Sequence, residues 1–538
     1  MKELELVLLL MALLTGLSAV ATRFRLPYPV LLVVAGLVLA LVPGLPVLRL
    51  NPDLIFLIFL PPLLYEASFS LSWTDFKTYH RPITWLAVGL VLFTTVLVAG
   101  LAHYFIPGFR WPLAFVLGAI VSPPDAVAAT SAVQGLGLPR RITAILEGEG
   151  LVNDASALII YRSAVAAVVG GSFAFWQAGW QFLLVGGGGI GIGLAIGYLV
   201  TLVQARITDS TLATSLTLLV PYVAYSLAEQ VGVSGVLAVV FTGLVVSWRS
   251  YDVYSTTTRL QNTSFWNVLV FLLNGFVFIV IGLQLPTVLQ DLHSHRLTEL
   301  IGYGLLISAA TILVRIAWVF PTFYLAYRHK RPTNVGRSQL LRELFIISWS
   351  GMRGIISLAT ALALPLVLSS GHPFPQRSAI LLITFIVILT TLVLQSLSLP
   401  WLIRWLGVRE PAAELTLEEQ RLRLEVASGV LAYLDDYLAH HAHSAVLDTL
   451  RQRVARRISY LNNVLANAAT TPLEEDLTER EQFSQLLQMQ LEVNAYQRRL
   501  LAHLHHEGNF SEQAIREVER ELDSQDVSLH LQLRGAQQ

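Results

Sequence analysis

Long apolar runs alternate with short polar loops along the first three quarters of the chain, and each run is about the length needed to cross a bilayer. Thirteen such spans lie near 4–21, 28–46, 52–71, 82–106, 112–133, 141–169, 180–204, 211–230, 233–248, 264–285, 299–326, 343–367 and 376–405. From about Pro411 the pattern changes to charged residues with Leu and Val at helical spacing. The expected fold class is an all-α membrane protein. It has a transmembrane domain over 1–405 and a helical tail over 411–538.

Loop charge sets the expected orientation. Fourteen Lys and Arg follow odd-numbered spans, and only Arg49, Arg110, Arg296 and Arg377 follow even-numbered ones. Positive loops stay on the cytoplasmic side, so the N-terminus is expected outside and the C-terminus inside. Leu6–Ala21 has a signal-peptide look, ending in Ala19-Val20-Ala21. Its n-region MKELE is not clearly basic, and Arg23 and Arg25 follow it directly, so it reads as a retained first helix. Val30–Leu37 in span 2 echoes Val236–Leu244 in span 9. An offset of seven spans reverses orientation and predicts an inverted repeat. Such repeats carry interrupted helices in corresponding positions. Span 5 has Pro123-Pro124, and span 12 has Gly351 and Gly354 around Arg353.

Composition narrows the function. The chain is 54% hydrophobic and 13% charged, with mean hydropathy +0.61 and no net charge. Nothing favours nucleic acid. The absence of cysteine excludes disulfides and thiolate chemistry. Gly186, Gly188 and Gly191 fit a dinucleotide fingerprint but lack its strand–turn–helix context. Gly189, Gly193 and Gly197 instead suit close helix packing. In the tail, Thr416 with Glu419 and Thr471 with Glu474 resemble capping boxes, the second with Pro472 at the first helical position. Seven of the thirteen histidines, His440, His441, His443, His503, His505, His506 and His530, also fall there. Solvated polar faces account for them more simply than pH sensing does.

The candidate chemistry lies in the apolar spans. Glu147, Glu149, Asn153, Asp154 and Arg162 share span 6, and Asp125 sits in span 5. A charge at membrane depth costs about 2.5–3.5 kcal/mol on insertion scales. A cation site explains these groups; a buried salt-bridge network is the competing account. Asp154 is the first choice for a carboxylate that holds either H⁺ or Na⁺, with Asn153 offering a neutral oxygen and Asp125 as neighbour. Proline lacks an N–H, so Pro123 and Pro124 free carbonyls for a cation. Ser122 and Thr130 are further oxygen donors. Glu149 shares a face with Asn153 and is expected to pair with Arg353. Glu66 and Glu147 are candidate pathway residues, with an interfacial role as the alternative. Arg162, Arg315 and Glu229 are expected in structural pairs.

Five segments carry a family resemblance: FLPPLLYEA (59–67), SPPDAVA (122–128), EGEGLVNDASAL (147–158), FVFIVIGLQL (276–285) and SGMRGIISLA (350–359). In order and on the expected spans, they resemble the sodium/proton exchanger family of monovalent cation/proton antiporters, bacterial type. The resemblance covers roughly residues 1–405. It implies 13 helices, with a dimer-forming domain and a six-helix core domain, and crossed, unwound helices 5 and 12. It implies that Asp154 is the ion- and proton-binding carboxylate, Asn153 its partner, Asp125 the acid at the crossing and Pro124 a carbonyl ligand. Glu149 and Arg353 would be the stabilising pair. Gly150 departs from members with serine there, which puts a side-chain ligand in doubt and would leave its place to water. The Asn-Asp pair implies electroneutral one-for-one exchange. The implied function is Na⁺ (or Li⁺, with K⁺ a further candidate) exchanged for H⁺ across the plasma membrane, by a homodimer without enzymatic activity or cofactor. A cation channel and an intramembrane aspartyl hydrolase are the alternatives.

Overall fold

The computed structural model describes residues 2–24, 27–42, 56–133, 136–170, 175–290, 297–329, 337–368, 372–409, 412–440 and 445–467, and short helical pieces between 485 and 533. The chain divides into two units, Met1–Arg409 and Glu410–Gln538. The regular structure of the first is all helical among the described residues, apart from one isolated bridge between Val367 and Pro373. Among the described residues, nine helices are long and apolar enough to cross a membrane, and shorter apolar helices run Leu8–Ala21, Tyr28–Ala40 and Phe56–Ser70.

The elements are α1 (Lys2–Phe24), α2 (Tyr28–Ala40), α3 (Leu60–Ser70), α4 (His80–Phe105), α5 (Trp111–Val121), α6 (Ala126–Val133), α7 (Arg140–Gly170) and α8 (Phe175–Gln204). They continue with α9 (Ser210–Val231), α10 (Gly235–Val253), α11 (Thr256–Leu283), α12 (Leu297–His329), α13 (Arg337–Trp349), α14 (Ile355–Leu362) and α15 (Arg377–Leu406). Within the first unit, α1, α2, α3, α8, α9, α10 and α11 pack mainly among themselves. A second group joins α4, α5, α7, α12, α13, α14 and α15. The groups meet where α2, α3 and α11 face α6, α7 and α14.

Two interruptions shape this meeting place. The apolar run of span 5 breaks between Val121 and Ala126, at Pro123-Pro124, where the prolines cannot continue the amide ladder. Span 12 breaks over residues 350–354, between Trp349 and Ile355. The breaks touch, because the Asp125 amide donates to the Met352 carbonyl at 2.6 Å. Exposed backbone is thereby satisfied inside protein instead of in lipid.

Glycines let the other group pack closely. A Cβ on Gly193 would lie 2.5 Å from the Ala238 carbonyl oxygen, and one on Gly189 2.5 Å from that of Ser234. The Thr242 hydroxyl donates to the Gly193 carbonyl at 3.0 Å, tying α10 to α8.

The second unit contains α16 (Ala412–His440) and α17 (Ala445–Asn467). Helix α16 runs through Thr416 instead of starting there, because Ala412, Ala413, Glu414 and Leu415 are good helix formers that extend it backwards. The Thr471–Glu474 pair, Pro472, His441, His443, His503, His505, His506 and His530 lie outside the described residues, as do Arg25, Arg49, Arg296, Lys330 and Arg331. The His440 side chain is likewise not described.

The glycine contacts give a position-specific expectation. Gly193→Val overpacks α8 against α10 and destabilises by roughly 1–3 kcal/mol. Gly191→Val on the same helix, where a Cβ meets nothing within 4 Å, is tolerated. Thermal unfolding of the detergent-solubilised protein checks this; equal melting temperatures for the two variants would contradict it.

Candidate functional site

Helix α7 separates its polar residues onto two faces. Thr143, Glu147, Gly150, Leu151 and Asp154 recur at helical spacing, and all five line a cavity of about 780 Å³. Glu149 and Asn153 point the other way and are buried at 1% and 0% exposure.

The inward face holds fixed charges. The Arg315 guanidinium of α12 grips Glu149 with two bonds, Nη1 to Oε1 at 2.5 Å and Nη2 to Oε2 at 2.7 Å. The expected Glu149–Arg353 bridge is therefore corrected: the partner is Arg315. Arg353 is occupied elsewhere, with Nε donating to the Val121 carbonyl at 2.7 Å and Nη1 to that of Gly351 at 2.6 Å. Its own amide donates to the Thr391 hydroxyl at 3.1 Å. Span position could not separate the two arginines, since both come from apolar runs that pack near α7. The other unassigned charges pair together, Arg162 with Glu229 at 2.9 Å. A further pair joins Arg141 to Glu343 at 2.7 Å.

The broken helices leave four cut ends, and charged side chains meet all of them. Arg353 sits at the carbonyl end of α5, and Arg315 Nε donates to the Ile347 carbonyl near the end of α13, at 3.1 Å. Cations suit helix C-termini. Asp125 serves the opposite ends: its carboxylate accepts from the Ala128 amide at 3.1 Å and from the backbone of Val127 and Ile355. Those amides open α6 and α14, where anions are favoured. A Cβ on Gly354 would collide with this carboxylate, so the close approach of α14 to Asp125 needs glycine there.

Asp154 lacks the partners that hold Glu149, Asp125 and Glu66, a trait it shares only with the less buried Glu147 among the described acids that line this cavity. Asp154 is 7% exposed, lines the cavity, and has no hydrogen-bond or ion-pair partner among the described residues. Beside it, the Asn153 amide donates to the Pro124 carbonyl at 2.8 Å, and the Asn153 Oδ1 is buried without a partner. Asn153 thus links α7 to the break in span 5. Pro123, Pro124, Asp125 and Thr130 also line the cavity. Ser122 is not brought to it; its hydroxyl donates to the Ala119 carbonyl at 3.1 Å. Glu66 and Glu147 line the same space further along, with Glu66 held by the Ser70 hydroxyl at 2.7 Å. Among the described residues no group of three His, Cys, Asp or Glu could hold a metal ion. The site is a buried carboxylate, Asp154, that shares its cavity with Asp125, Pro124 and Thr130, and is suited to one small monovalent cation or one proton.

Several lining groups escaped the sequence reading. Tyr28 of α2 hydrogen-bonds Ser131 of α6 at 3.1 Å, and Asn267 and Asn274 of α11 line the opposite wall. The Asn spacing of seven residues, on one helical face, was the available signal.

The transmembrane sodium/hydrogen exchanger family matches residues 9–405. A sodium, potassium, lithium and rubidium/H⁺ antiporter of Bacillus pumilus is 36% identical over 409 residues, which is 74% of this chain and 60% of the relative. The chain thus spans under two thirds of that relative's length. An uncharacterized Na⁺/H⁺ exchanger of Mycobacterium tuberculosis is 33% identical over 523 residues, covering 94% of this chain and 92% of the other. The sodium proton antiporter MjNhaP1 of Methanocaldococcus jannaschii has a similar fold, with TM-score 0.59 and 19% identity, over 76% of this chain and all of that one.

The charge geometry fixes which arginine Glu149 needs. Removing Arg315 leaves a buried unpaired carboxylate, a loss of roughly 3–5 kcal/mol. In double-mutant cycles read by thermal unfolding, Glu149→Gln couples to Arg315→Met more strongly than to Arg353→Met. The reverse ranking would return the bridge to Arg353.

Proposed function

The chain belongs to the sodium/hydrogen exchanger family, and from that premise we propose that it is a cation/proton antiporter of the plasma membrane. It exchanges Na⁺ (or Li⁺, with K⁺ a further candidate) for H⁺ by alternating access. The observation that carries this reading is Asp154: a buried carboxylate without a partner that lines the cavity, while Glu149 is committed to Arg315 and Asp125 to a helix end. Such a group is neutralised by a proton or by a cation, not by both, so the two compete. Asn153, Asp125 and the Pro124 carbonyl complete the site. Glu66 and Glu147 line the approach to it.

A single carboxylate that carries either Na⁺ or H⁺ moves no net charge between its two loaded forms. Exchange is therefore one-for-one and electroneutral. Moving an extra charge would couple the cycle to voltage by about 2.3 kcal/mol per 100 mV.

The finer architecture belongs to the same reading. It comprises thirteen spans, two inverted six-helix repeats with spans 5 and 12 crossing unwound, the N-terminus outside, the tail cytoplasmic, and a homodimer. The part of the cavity lined by Ser70, Thr143 and Asn267 lies toward the odd-numbered loops, which is the cytoplasmic side in this reading. The segment from 411 is a helical regulatory or partner-binding domain, and truncation near residue 410 is expected to change the pH profile of exchange.

Inverted membrane vesicles loaded with a pH-sensitive dye test the assignment. Na⁺ addition dequenches the dye with the wild type and fails to with folded, well-expressed Asp154→Asn. Full activity in that variant would move the site elsewhere. In reconstituted membranes no sustained current accompanies the flux; a current tracking cation movement would rule out electroneutrality.

A further inference from the structure

One polar side chain in the cavity has no assigned task. Asn274 of α11 is 5% exposed, lines the cavity with Asp154 and Asp125, and has no hydrogen-bond partner among the described residues. Its amide is not among the side-chain groups sealed away without a partner, so it is presented to the cavity and is available to a ligand there. Phe271 and Phe278, on the same face of α11, bracket it. Both rings contact Tyr28 at 6.3 Å between centroids, and Tyr28 reaches α6 through Ser131. The Asn274 face is thereby held toward the broken helix that carries Asp125.

The opposite wall has a gap. Gly150 occupies the α7 position one turn before Asp154 and offers no side-chain oxygen. A Cβ there would meet the Ala126 Cβ at 2.3 Å, so a serine hydroxyl does not fit without moving α6. An alkali cation at Asp154 therefore receives no side-chain ligand from this turn.

We propose that Asn274 supplies an oxygen ligand to the cation from the opposite side of the cavity, across from Asp154, directly or through one water. Asn267, two turns nearer the open end on the same face, is the preceding contact. An amide oxygen is a hard, neutral donor that suits an alkali cation. It adds affinity without adding charge, so it leaves the stoichiometry of exchange unchanged. It also places one ligand on the helix group that contains α2 and α3, and the others on the group that contains α7. The bound cation then spans both groups.

This rests on the antiport reading, and the experiment separates the two. Na⁺-dependent dequenching is measured in inverted vesicles across Na⁺ concentrations for the wild type, Asp154→Asn, Asn274→Leu, Asn274→Gln and Asn274→Asp. Asn274→Leu is expected to raise the half-saturating Na⁺ concentration roughly tenfold, with the maximal rate within about twofold of wild type. Asn274→Gln, which keeps the amide, restores most of the loss. Asn274→Asp lowers the half-saturating concentration at alkaline pH and makes it steeply pH-dependent. An unchanged half-saturating concentration in Asn274→Leu, or a fall in maximal rate alone, overturns the proposal while leaving antiport standing. A wild type inactive with every monovalent cation overturns the antiport reading itself. Should Asn274→Leu fail to elute as a monodisperse protein, the Asp and Gln variants decide: affinity equal to wild type in both refutes the ligand role.

Discussion

The contact between the two broken helices is the constraint on which the rest of the structure depends. A helix cut inside hydrocarbon exposes amides and carbonyls that lipid cannot satisfy. Here the cuts at 122–125 and 350–354 are set against each other, and the Asp125 amide bonds across them to Met352. The four cut ends carry half-charges, and the burial of Asp125, Arg315 and Arg353 follows from meeting them. Glu149 then answers Arg315. Groups that look extravagant one at a time form a closed electrostatic set.

That closure gives the chemistry its selectivity of role. Asp125 lines the cavity too, but its carboxylate is held at a helix end. Glu149 is held by a two-pronged guanidinium. Asp154 has neither support and faces the cavity. The difference between a structural acid and a working one lies in what surrounds it, since all three sit at similar depth in apolar spans. Asn153, next to the working acid in sequence, ties α7 to the break in span 5: its amide donates to the Pro124 carbonyl, while its oxygen is buried without a partner.

Much of this was legible in the sequence because the bilayer constrains it so strongly. Apolar length marked the chain as an all-helical membrane protein, proline and glycine marked both breaks, and four-residue glycine spacing marked a close helix contact, which lies between α8 and α10. The choice between Arg315 and Arg353 was not legible. Both are single arginines in apolar surroundings, and spacing along one helix says nothing of which neighbour faces Glu149. Ser122 was misplaced for a related reason: at a helix break the periodicity that predicts facing is lost, and its hydroxyl folds back onto Ala119. Thr416 looked like a cap because its side chain suits one, yet the Ala-rich residues before it continue the helix. Asn274 was passed over because amides lack the cost in hydrocarbon that makes charges conspicuous.

The bond between Tyr28 and Ser131 has a kinetic consequence. It is a neutral hydrogen bond, worth about 0.5–1.5 kcal/mol net. The two aromatic contacts of Tyr28 are both to α11, on the same side of the cavity as α2. At this point, then, the two walls share a fastening roughly one to two and a half times thermal energy in strength. A catch so weak is broken at little cost when the walls separate. It adds little to the activation barrier and biases the resting population slightly toward this state. The rate of the cycle is left to whatever occupies the cavity.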